Sequence, residues 1–414
     1  METVDVLVVG AGPAGSTAAE ALARAGHRVR VVEEHPRVGY PVQCAGLVSQ
    51  RVLDLAGDRS FVRRPVVGAS VFGPALAAVS FKAPDPRAYV IDRGALDVHL
   101  ADRAARAGAE FETGATFRRR RPSADGHEAI ELRRDDGTTA EVAARVVVGA
   151  DGVASAVARA YRLRRPIEIL PAFEAEFPHS PGDPDTVEVY LGRRISPGLF
   201  GWWIPDGAGG ARVGVAADAD GTSARRYFDR LVARLETRFG VRLASPTAYL
   251  ASGIPIGDVP RTHGDRVVLV GDAAAQVKPL SGGGIFTGMR CAALAAAAID
   301  RALRAGDVSA AGLAPYEAAW RAEFGEEFRR ALHLRRVLAR LTDRDLDAVV
   351  EALRTGRHGP TIVAFGDIDF PTHLARRLLA DSPRLVRLLP KALGAWFSSG
   401  DYRTPELDFE VRRK

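Results

Sequence analysis

The chain has 414 residues, of which 47% are hydrophobic, so it can bury a large core in two or more lobes. Its two cysteines, Cys44 and Cys291, are too few for a disulfide framework and have no zinc-ligand spacing, so we expect neither a disulfide-rich secreted domain nor a metal. The net charge of +6 comes mostly from arginine, but the chain carries no nucleic-acid motif, and we expect no nucleic-acid partner.

The amino end is predicted to alternate strand, turn and helix. The run from Val4 to Val9 has the apolar character of a buried strand, and the run from Ser16 to Ala25 predicts a helix. A second strand then follows and ends at Glu33. The first residues enter a strand directly and lack the basic and apolar regions of a secretory signal, so we expect a cytoplasmic protein.

The turn between the first strand and the helix, GAGPAG, has the G-x-G-x-x-G spacing of a dinucleotide-binding fingerprint. Gly10 permits the tight turn, Gly12 lets the backbone approach a pyrophosphate, and Gly15 allows the helix to pack closely on the strand. Glu33, at the end of the second strand, is placed to accept hydrogen bonds from a ribose. The predicted cofactor contacts at this end are Gly10, Gly12, Ala14, Gly15 and Glu33.

Two further glycine turns follow buried strands later in the chain. The first spans residues 149–152 and precedes a helix. The second is the GDAA stretch, where Asp272 is placed to bind the ribityl chain or the pyrophosphate region of a flavin nucleotide. The amino-terminal amides of the long helix beyond it are suited to stabilise negative charge on a reduced flavin. The predicted contacts in this region are Asp272, Gly283, Gly284 and Ile285.

The order GxGxxG, ADGxxS and GDAA resembles the flavoprotein group typified by p-hydroxybenzoate hydroxylase, over roughly residues 1–305. The resemblance implies an α/β fold with a Rossmann-type FAD-binding domain, an inserted antiparallel-sheet substrate domain and a C-terminal helical region. FAD is therefore the expected cofactor. In that group an arginine that opens a helix contacts the cofactor, and Arg93 in DRGAL stands at the matching position.

Three longer stretches, PVQCAGLVS, PGLFGWWIPDG and GDAAAQVKPLSGGGI, resemble the geranylgeranyl reductase family. Enzymes of that family use FAD to saturate carbon–carbon double bonds of isoprenoids, so the resemblance implies an isoprenoid lipid substrate and a role in lipid biosynthesis. It also implies that Cys44 and Ala45 lie beside the flavin ring and that an aromatic segment lines the substrate cavity. The substrate contacts implied in this way are Phe200, Trp202, Ile204 and Pro205.

The roles of the cysteine and of the aromatic segment have alternatives. Cys44 is a candidate catalytic residue that would donate a proton or shape the ring face, and the alternative is an inert buried thiol. Strand alternation puts Phe200 and Trp202 on one face and Trp203 on the other, where they would wall a channel or simply pack a core. The usual Y-x-W-x-F-P-K of the family reads F-G-W-W-I-P-D here, which leaves the substrate open.

Other flavin chemistries share most of these motifs. A FAD-dependent monooxygenase of an apolar or aromatic substrate is the main alternative, followed by a halogenase, which needs a catalytic lysine such as Lys82, and by a non-catalytic flavin redox carrier. No second nucleotide fingerprint follows Glu33, so the expected external electron donor is transiently bound NAD(P)H or the protein ferredoxin. Lys278 is expected near the edge of the flavin or in the packing of a helix entry.

The predicted domains follow the positions of these motifs. Residues 1–160 form the first segments of the FAD-binding domain, with part of the substrate-side sheet inserted around residues 60–92. Residues 161–260 form the antiparallel-sheet substrate domain, and residues 261–310 return to the FAD-binding domain. Residues 311–414 form the C-terminal helical region.

The segment of residues 371–397 combines leucines with basic residues, including Leu374, Leu378, Arg376 and Arg377. Such an amphipathic segment is suited to peripheral contact with an anionic membrane, and the alternative is a pair of helices that cover the protein core. No apolar run reaches the roughly 20 residues needed to cross a bilayer.

Overall fold

The strands of the protein belong to three sheets in a computed structural model that describes residues 2–122, 126–165, 167–356, 358–382 and 385. In chain order the strands are β1 (Glu2–Val9), β2 (Val29–Glu33), β3 (Leu47–Val48), β4 (Val62–Val66), β5 (Gly68–Phe72), β6 (Ala78–Lys82), β7 (Ala88–Ile91), β8 (Glu110–Thr113), β9 (Ala115–Pro122), β10 (Glu128–Arg134), β11 (Thr139–Gly149), β12 (Ile167–Phe177), β13 (Thr186–Tyr190), β14 (Phe200–Pro205), β15 (Ala211–Ala216), β16 (Ala248–Gly257), β17 (His263–Gly264) and β18 (Val267–Leu269).

The helices stand between and after these strands. In chain order they are α1 (Pro13–Arg24), α2 (Gln50–Ala56), α3 (Arg93–Arg106), α4 (Ala156–Ala160), α5 (Ala224–Phe239), α6 (Ile285–Ala305), α7 (Ala310–Trp320), α8 (Glu326–Leu338), α9 (Asp343–Thr355), α10 (Gly359–Phe365) and α11 (Pro371–Asp381). A short 3₁₀ turn at Gly271–Ala274 follows β18, and one π-helical turn at Arg321–Gly325 joins α7 to α8.

The first sheet is built around β1, which pairs in parallel with β2 on one side and with β11 on the other. The strand order is β17-β18-β11-β1-β2-β8, and β9 and β10 extend β11 as an antiparallel ribbon. Helices α1, α3 and α6 cover one face, and the ribbon with α4 covers the other. Burial on both faces explains why the central strands are almost continuously apolar. This sheet confirms the predicted Rossmann-type α/β class.

The second sheet has the order β16-β12-β15-β14-β13-β5-β6. Its strands pair antiparallel except for β5 and β13, which are parallel because β5 enters the sheet from a distant, earlier part of the chain. Helix α5 packs on one face through a core that includes Trp203 and Leu231. The other face packs toward the small sheet β3-β7-β4. The sheet combines strands from residues 68–82 and 167–257, and the domain bounds given above stay a prediction.

The C-terminal helices brace the first sheet. The Tyr316 hydroxyl on α7 donates to the Leu269 carbonyl at 2.8 Å and accepts from the Gln276 side-chain amide at 2.7 Å. Gln276 Oε1 in turn accepts from the Gly271 amide at 2.9 Å. All these groups are buried, so the network holds the turn after β18 in one conformation.

Only part of the predicted membrane segment lies among the described residues. Helix α11 carries Leu374 and Leu378 half-buried and Arg376 and Arg377 exposed. The remaining residues of that segment, apart from Ser382 and the buried Leu385, lie outside the described residues. Among the helices that the structure describes, none is long and apolar enough to cross a membrane.

A substitution at Gly15 tests the close packing of α1 on β1. An ideal Cβ on Gly15 would lie 1.9 Å from the Gly10 carbonyl oxygen, which is rigid backbone. We expect Gly15→Ala to lower the free energy of unfolding by about 3 kcal/mol. The control Gly359→Ala, whose Cβ would meet no atom within 4 Å, should change it by less than about 1 kcal/mol. Urea unfolding measures both, and equal values would contradict the packing account.

Candidate functional site

Three neighbouring parallel strands, β1, β11 and β18, end at the same edge of the first sheet, and each is followed by one of the predicted glycine turns. The Ala150 amide donates to the Val9 carbonyl at 2.8 Å, and the Val270 amide donates to the Gly149 carbonyl at 2.9 Å. Turns separated by more than a hundred residues in sequence therefore lie side by side, at the edge where α/β sheets bind their ligands.

Glycine is required where these turns touch. Gly10 has a φ of +102°, and an ideal Cβ on it would lie 2.4 Å from the Ala150 carbonyl oxygen of the second turn. An ideal Cβ on Gly271 of the third turn would lie 3.0 Å from the Ala14 side chain. The first turn therefore contacts both of the others, and the three form one surface.

Glu33 lies at the first turn, as its position at the end of β2 predicts. Its Oε2 accepts from the Ala11 amide at 2.8 Å, while Oε1 accepts from the His35 amide at 3.1 Å and contacts the His35 ring. These contacts hold the carboxylate beside the glycine turn. Its binding to a ribose stays a prediction.

Arg93 is the first residue of α3, and the preceding Asp92 caps the helix by accepting from the Ala95 amide at 2.9 Å. The Arg93 side chain is largely buried and forms an ion pair with Asp97 one turn along the helix. Burial raises the pKa of Asp97 to about 6, and the Arg93 guanidinium opposes that shift. Burial also raises the pKa of Asp272, and the charge of Arg93 again opposes the shift. The side chains of Arg93 and Asp272, two of the predicted cofactor contacts, therefore interact electrostatically.

Helix α6 begins at Ile285 with Gly284 as its N-cap. In front of this end lies Lys278, whose Nζ donates to Asp369 Oδ1 at 2.8 Å and to the Ile368 carbonyl at 2.9 Å. Both members of the ion pair are buried. Lys278 is therefore fixed by the segment between α10 and α11, and the sequence did not indicate this partner.

Cys44 and Ala45 lie in the segment between β2 and β3, and Ala45 packs against the second sheet. The Cys44 Sγ accepts a long hydrogen bond of 3.4 Å from the Gly46 amide. Burial raises the pKa of the thiol, and the Arg93 charge opposes the shift, so the thiol keeps its proton at neutral pH. Arg212 on β15 donates from Nη1 to the Ala45 carbonyl at 2.9 Å and to the Ile91 carbonyl at 3.0 Å. This arginine ties the second sheet to the cysteine segment.

The aromatic segment forms β14, and its alternation is as predicted. Trp202 and Ile204 pack toward Ala45 and the small sheet, whereas Trp203 is buried on the α5 side. The ring centroids of Phe200 and Trp202 lie 6.3 Å apart in an edge-to-face arrangement. Pro205 differs from these residues, because alternation along the strand puts it on the Trp203 face rather than with the other predicted substrate contacts.

Glu174 on β12 is a site residue that the sequence reasoning missed. Its carboxylate is 4% exposed, and its Oε2 accepts from Trp202 Nε1 at 2.7 Å. The sequence FEAEF places a glutamate at the centre of a strand, where its side chain either faces solvent or is buried with a hydrogen-bond partner. Burial was not readable from FEAEF, since it depends on the strands that pair with β12.

Comparisons with known proteins identify the family of the chain. A family model described as an FAD binding domain matches residues 3–329. The chain is 35% identical over 395 residues to digeranylgeranylglycerophospholipid reductase 2 of Methanothermobacter thermautotrophicus, covering 93% of this chain and 98% of that protein. It is 30% identical to the digeranylgeranylglycerophospholipid reductase of Methanocaldococcus jannaschii, covering 93% and 97% of the two chains. The chain belongs to the geranylgeranyl reductase family.

Solved structures of this family and of wider relatives share the fold. A geranylgeranyl bacteriochlorophyll reductase-like protein from Thermoplasma acidophilum matches with a TM-score of 0.83 and 29% identity, covering 95% of this chain and 100% of that one. The flavin-dependent halogenase CmlS matches with a TM-score of 0.67 at 22% identity, which concerns the fold alone.

The residues at the sheet edge fit FAD, the cofactor of the matched domain. An ideal Cβ on Gly12 meets no atom within 4 Å, so open space adjoins the amino end of α1, where a pyrophosphate would bind. Arg93 Nε is buried with no hydrogen-bond partner among the described residues, and a buried donor of this kind needs an acceptor. Both features are those of a site built to receive a polar cofactor.

Lys82 does not lie with these residues. It ends the edge strand β6, which β13 and β5 separate from β14 in the second sheet, and its Nζ pairs with Asp183 Oδ2 at 2.6 Å. Its side chain is 56% exposed. The structure therefore shows Lys82 as a solvated, ion-paired strand residue.

The open space at Gly12 predicts a variant that folds and loses cofactor. Gly12 has φ −69° and ψ −176°, an extended conformation that alanine adopts readily, so Gly12→Ala should change unfolding free energy by less than about 1 kcal/mol. Its methyl group would occupy the space for the pyrophosphate, and we expect FAD affinity to fall at least about tenfold. Fluorescence titration of the cofactor-free protein with FAD measures this, and unchanged affinity would contradict the placement.

A second variant tests the aromatic face. An ideal Cβ on Gly214 would lie 2.4 Å from the Trp202 ring, so Gly214→Ala should displace the indole and break its hydrogen bond to Glu174. The matched control is Gly201→Ala, whose Cβ would meet Leu231 on the opposite face at 2.8 Å. We expect the indole N–H resonance of Trp202 in a nitrogen-15 spectrum to shift only in the first variant, although both lose stability. A similar shift in both variants would contradict the account.

Proposed function

We propose that the protein is an FAD-dependent reductase that saturates carbon–carbon double bonds of a geranylgeranyl or other polyprenyl lipid. The observation that carries the proposal is full-length similarity, over 93% of this chain, to proteins named as reductases of digeranylgeranylglycerophospholipids. The geometry supports it because an apolar, aromatic strand face adjoins the cysteine segment beside the cofactor edge. The head group of the substrate and the double bonds that react are to be identified by experiment.

The residues of the site have separate roles in this reaction. Reduced FAD supplies the hydride when it is bound. Arg93 and Asp272 hold the polar parts of the cofactor, and Gly10 and Gly12 admit its pyrophosphate. Trp202 gives an isoprenoid chain an apolar wall and, with its neighbours, excludes water from the reacting double bond.

The alternative flavin chemistries have less support. The identity is 22% to the halogenase CmlS and 21% to an anhydrotetracycline hydroxylase, and likeness at this level concerns the fold. Lys82, the halogenase candidate, is exposed and ion-paired. A redox carrier has no need of the buried Trp202–Glu174 pair on the substrate face.

Electrons reach the cofactor from NAD(P)H or from ferredoxin in this proposal. An experiment distinguishes the two donors, because only NAD(P)H reduces the yellow protein in the absence of a second protein. The basic composition, with a net charge of +6, favours an acidic protein partner. Contact of residues 371–397 with an anionic membrane would bring a lipid substrate to the site.

The decisive experiment uses the FAD-loaded protein reduced with dithionite under argon. We expect a polyprenyl lipid to reoxidise the flavin, and mass spectrometry of the recovered lipid to show one pair of hydrogens gained for each double bond that reacts. A saturated lipid of the same chain length is the control and should leave the flavin reduced. Reoxidation by air alone, or a product that has gained oxygen or a halogen, would overturn the proposal.

A further inference from the structure

The buried face of the second sheet carries an acid that the reaction described so far does not use. Residues that pair directly in antiparallel strands present their side chains on the same face. Glu174 pairs with Gly214, and Gly214 pairs with Trp202, so the three lie in one row across β12, β15 and β14. Glu174 therefore shares the face of the aromatic wall.

Gly214, the middle residue of this row, has no side chain. An ideal Cβ on Gly214 would lie 2.4 Å and 2.5 Å from atoms of the Trp202 ring, so the glycine lets the indole lie over the strand between them. The indole thereby reaches the carboxyl, with Nε1 and Oε2 at 2.7 Å. The next glutamate on that face, Glu176, is not buried in this way, because its side chain is 52% exposed.

The surroundings of the carboxyl decide which protonation state it holds. Burial raises the pKa of Glu174 to about 7, against the hydrogen bond from Trp202 and the charge of Arg212, with a small contribution from Glu176 in the same direction as burial. Cys44 lies near enough for the charge of Glu174 to contribute to the raised pKa of that thiol, after the larger effect of burial. Near neutral pH both the protonated and the ionised form of the Glu174 carboxyl are therefore populated.

Reduction of an isolated double bond needs such a group. One carbon receives a hydride, which is the electron pair with its hydrogen, and the other carbon must receive a proton. We infer that Glu174 is the general acid that delivers this proton to the polyprenyl chain, an inference that rests on the proposed function. The carboxylate left behind accepts the Trp202 N–H and is neutralised by Arg212, and it takes up a proton from water after the product leaves.

Glu174 is better suited to this role than Cys44. A general acid works best when it releases its proton near the working pH. The burial of Cys44 makes its thiol harder to ionise, whereas the buried carboxyl titrates close to neutrality. Cys44 then serves as a neutral, compact wall between the lipid and the cofactor edge.

The test compares Glu174→Gln, which keeps an oxygen for Trp202, with Glu176→Gln, which removes an exposed charge from the same strand face near Arg212. An infrared pH titration of the oxidised, FAD-loaded protein reports the carboxylic acid without turnover. As the pH rises, we expect a buried C=O stretch to disappear with a midpoint near pH 7 in the wild type and in Glu176→Gln. Glu174→Gln should lack this transition and keep only the one of Asp97, whose midpoint lies near pH 6.

Lipid-dependent reoxidation of the reduced protein supplies the second measurement. In Glu174→Gln we expect it to slow by about 10²-fold or more, with unchanged FAD content and unchanged reduction by dithionite. The wild-type rate should fall above pH 7, where Glu174 has lost its proton, and the residual rate of the variant should not.

Three results separate the possible failures. A Glu174→Gln rate within about twofold of the wild type overturns the inference and leaves the proposed function standing. Loss of the pH dependence in Cys44→Ala instead of Glu174→Gln also overturns it and assigns the proton to the thiol. A wild-type protein that no polyprenyl lipid reoxidises overturns the proposed function and this inference together.

Discussion

The architecture depends on the hydrogen bonds that join the ends of β1, β11 and β18. Two of them, from Ala150 to Val9 and from Val270 to Gly149, place three distant turns on one edge. Gly10 permits the backbone of the first two turns to touch, since any side chain there would meet the Ala150 carbonyl. The buried network of Tyr316, Gln276 and Gly271 then holds the third turn in place. The cofactor site is a consequence of how these strands end.

The second sheet adds chemistry by strand alternation. Its outer face packs on α5 and carries Trp203, which contributes stability, while its inner face carries Trp202 and Glu174 toward the cofactor edge. Arg212 ties this sheet to the cysteine segment by donating to the Ala45 carbonyl. Beside its apolar residues this face carries the buried, hydrogen-bonded Glu174 and the ion pair of Arg212 with Glu176. Glu174 is buried among them, which suits a reaction that needs dryness and a proton in the same place.

Local patterns were sufficient to predict the parallel sheet, its glycine turns and the two faces of β14. They were sufficient because strand, turn and helix signals occur within a few neighbouring residues. Contacts between distant segments were not predictable from such patterns. Glu174 is buried only because β14 and β15 pair in a particular register, and Lys278 meets a partner 91 residues away. Alternation along the strand puts Pro205 on the Trp203 face, and its contact with the substrate stays a prediction.

A crystal structure of the FAD complex tests the central claim most directly, namely that the three turns form one cofactor site against the inner face of the second sheet. We expect the pyrophosphate at Gly12 and the flavin ring beside Arg93 and Cys44, with the Trp202–Glu174 pair facing the space in front of the ring. A flavin ring bound elsewhere, or one that opens to bulk water with no apolar wall beside it, would contradict the account.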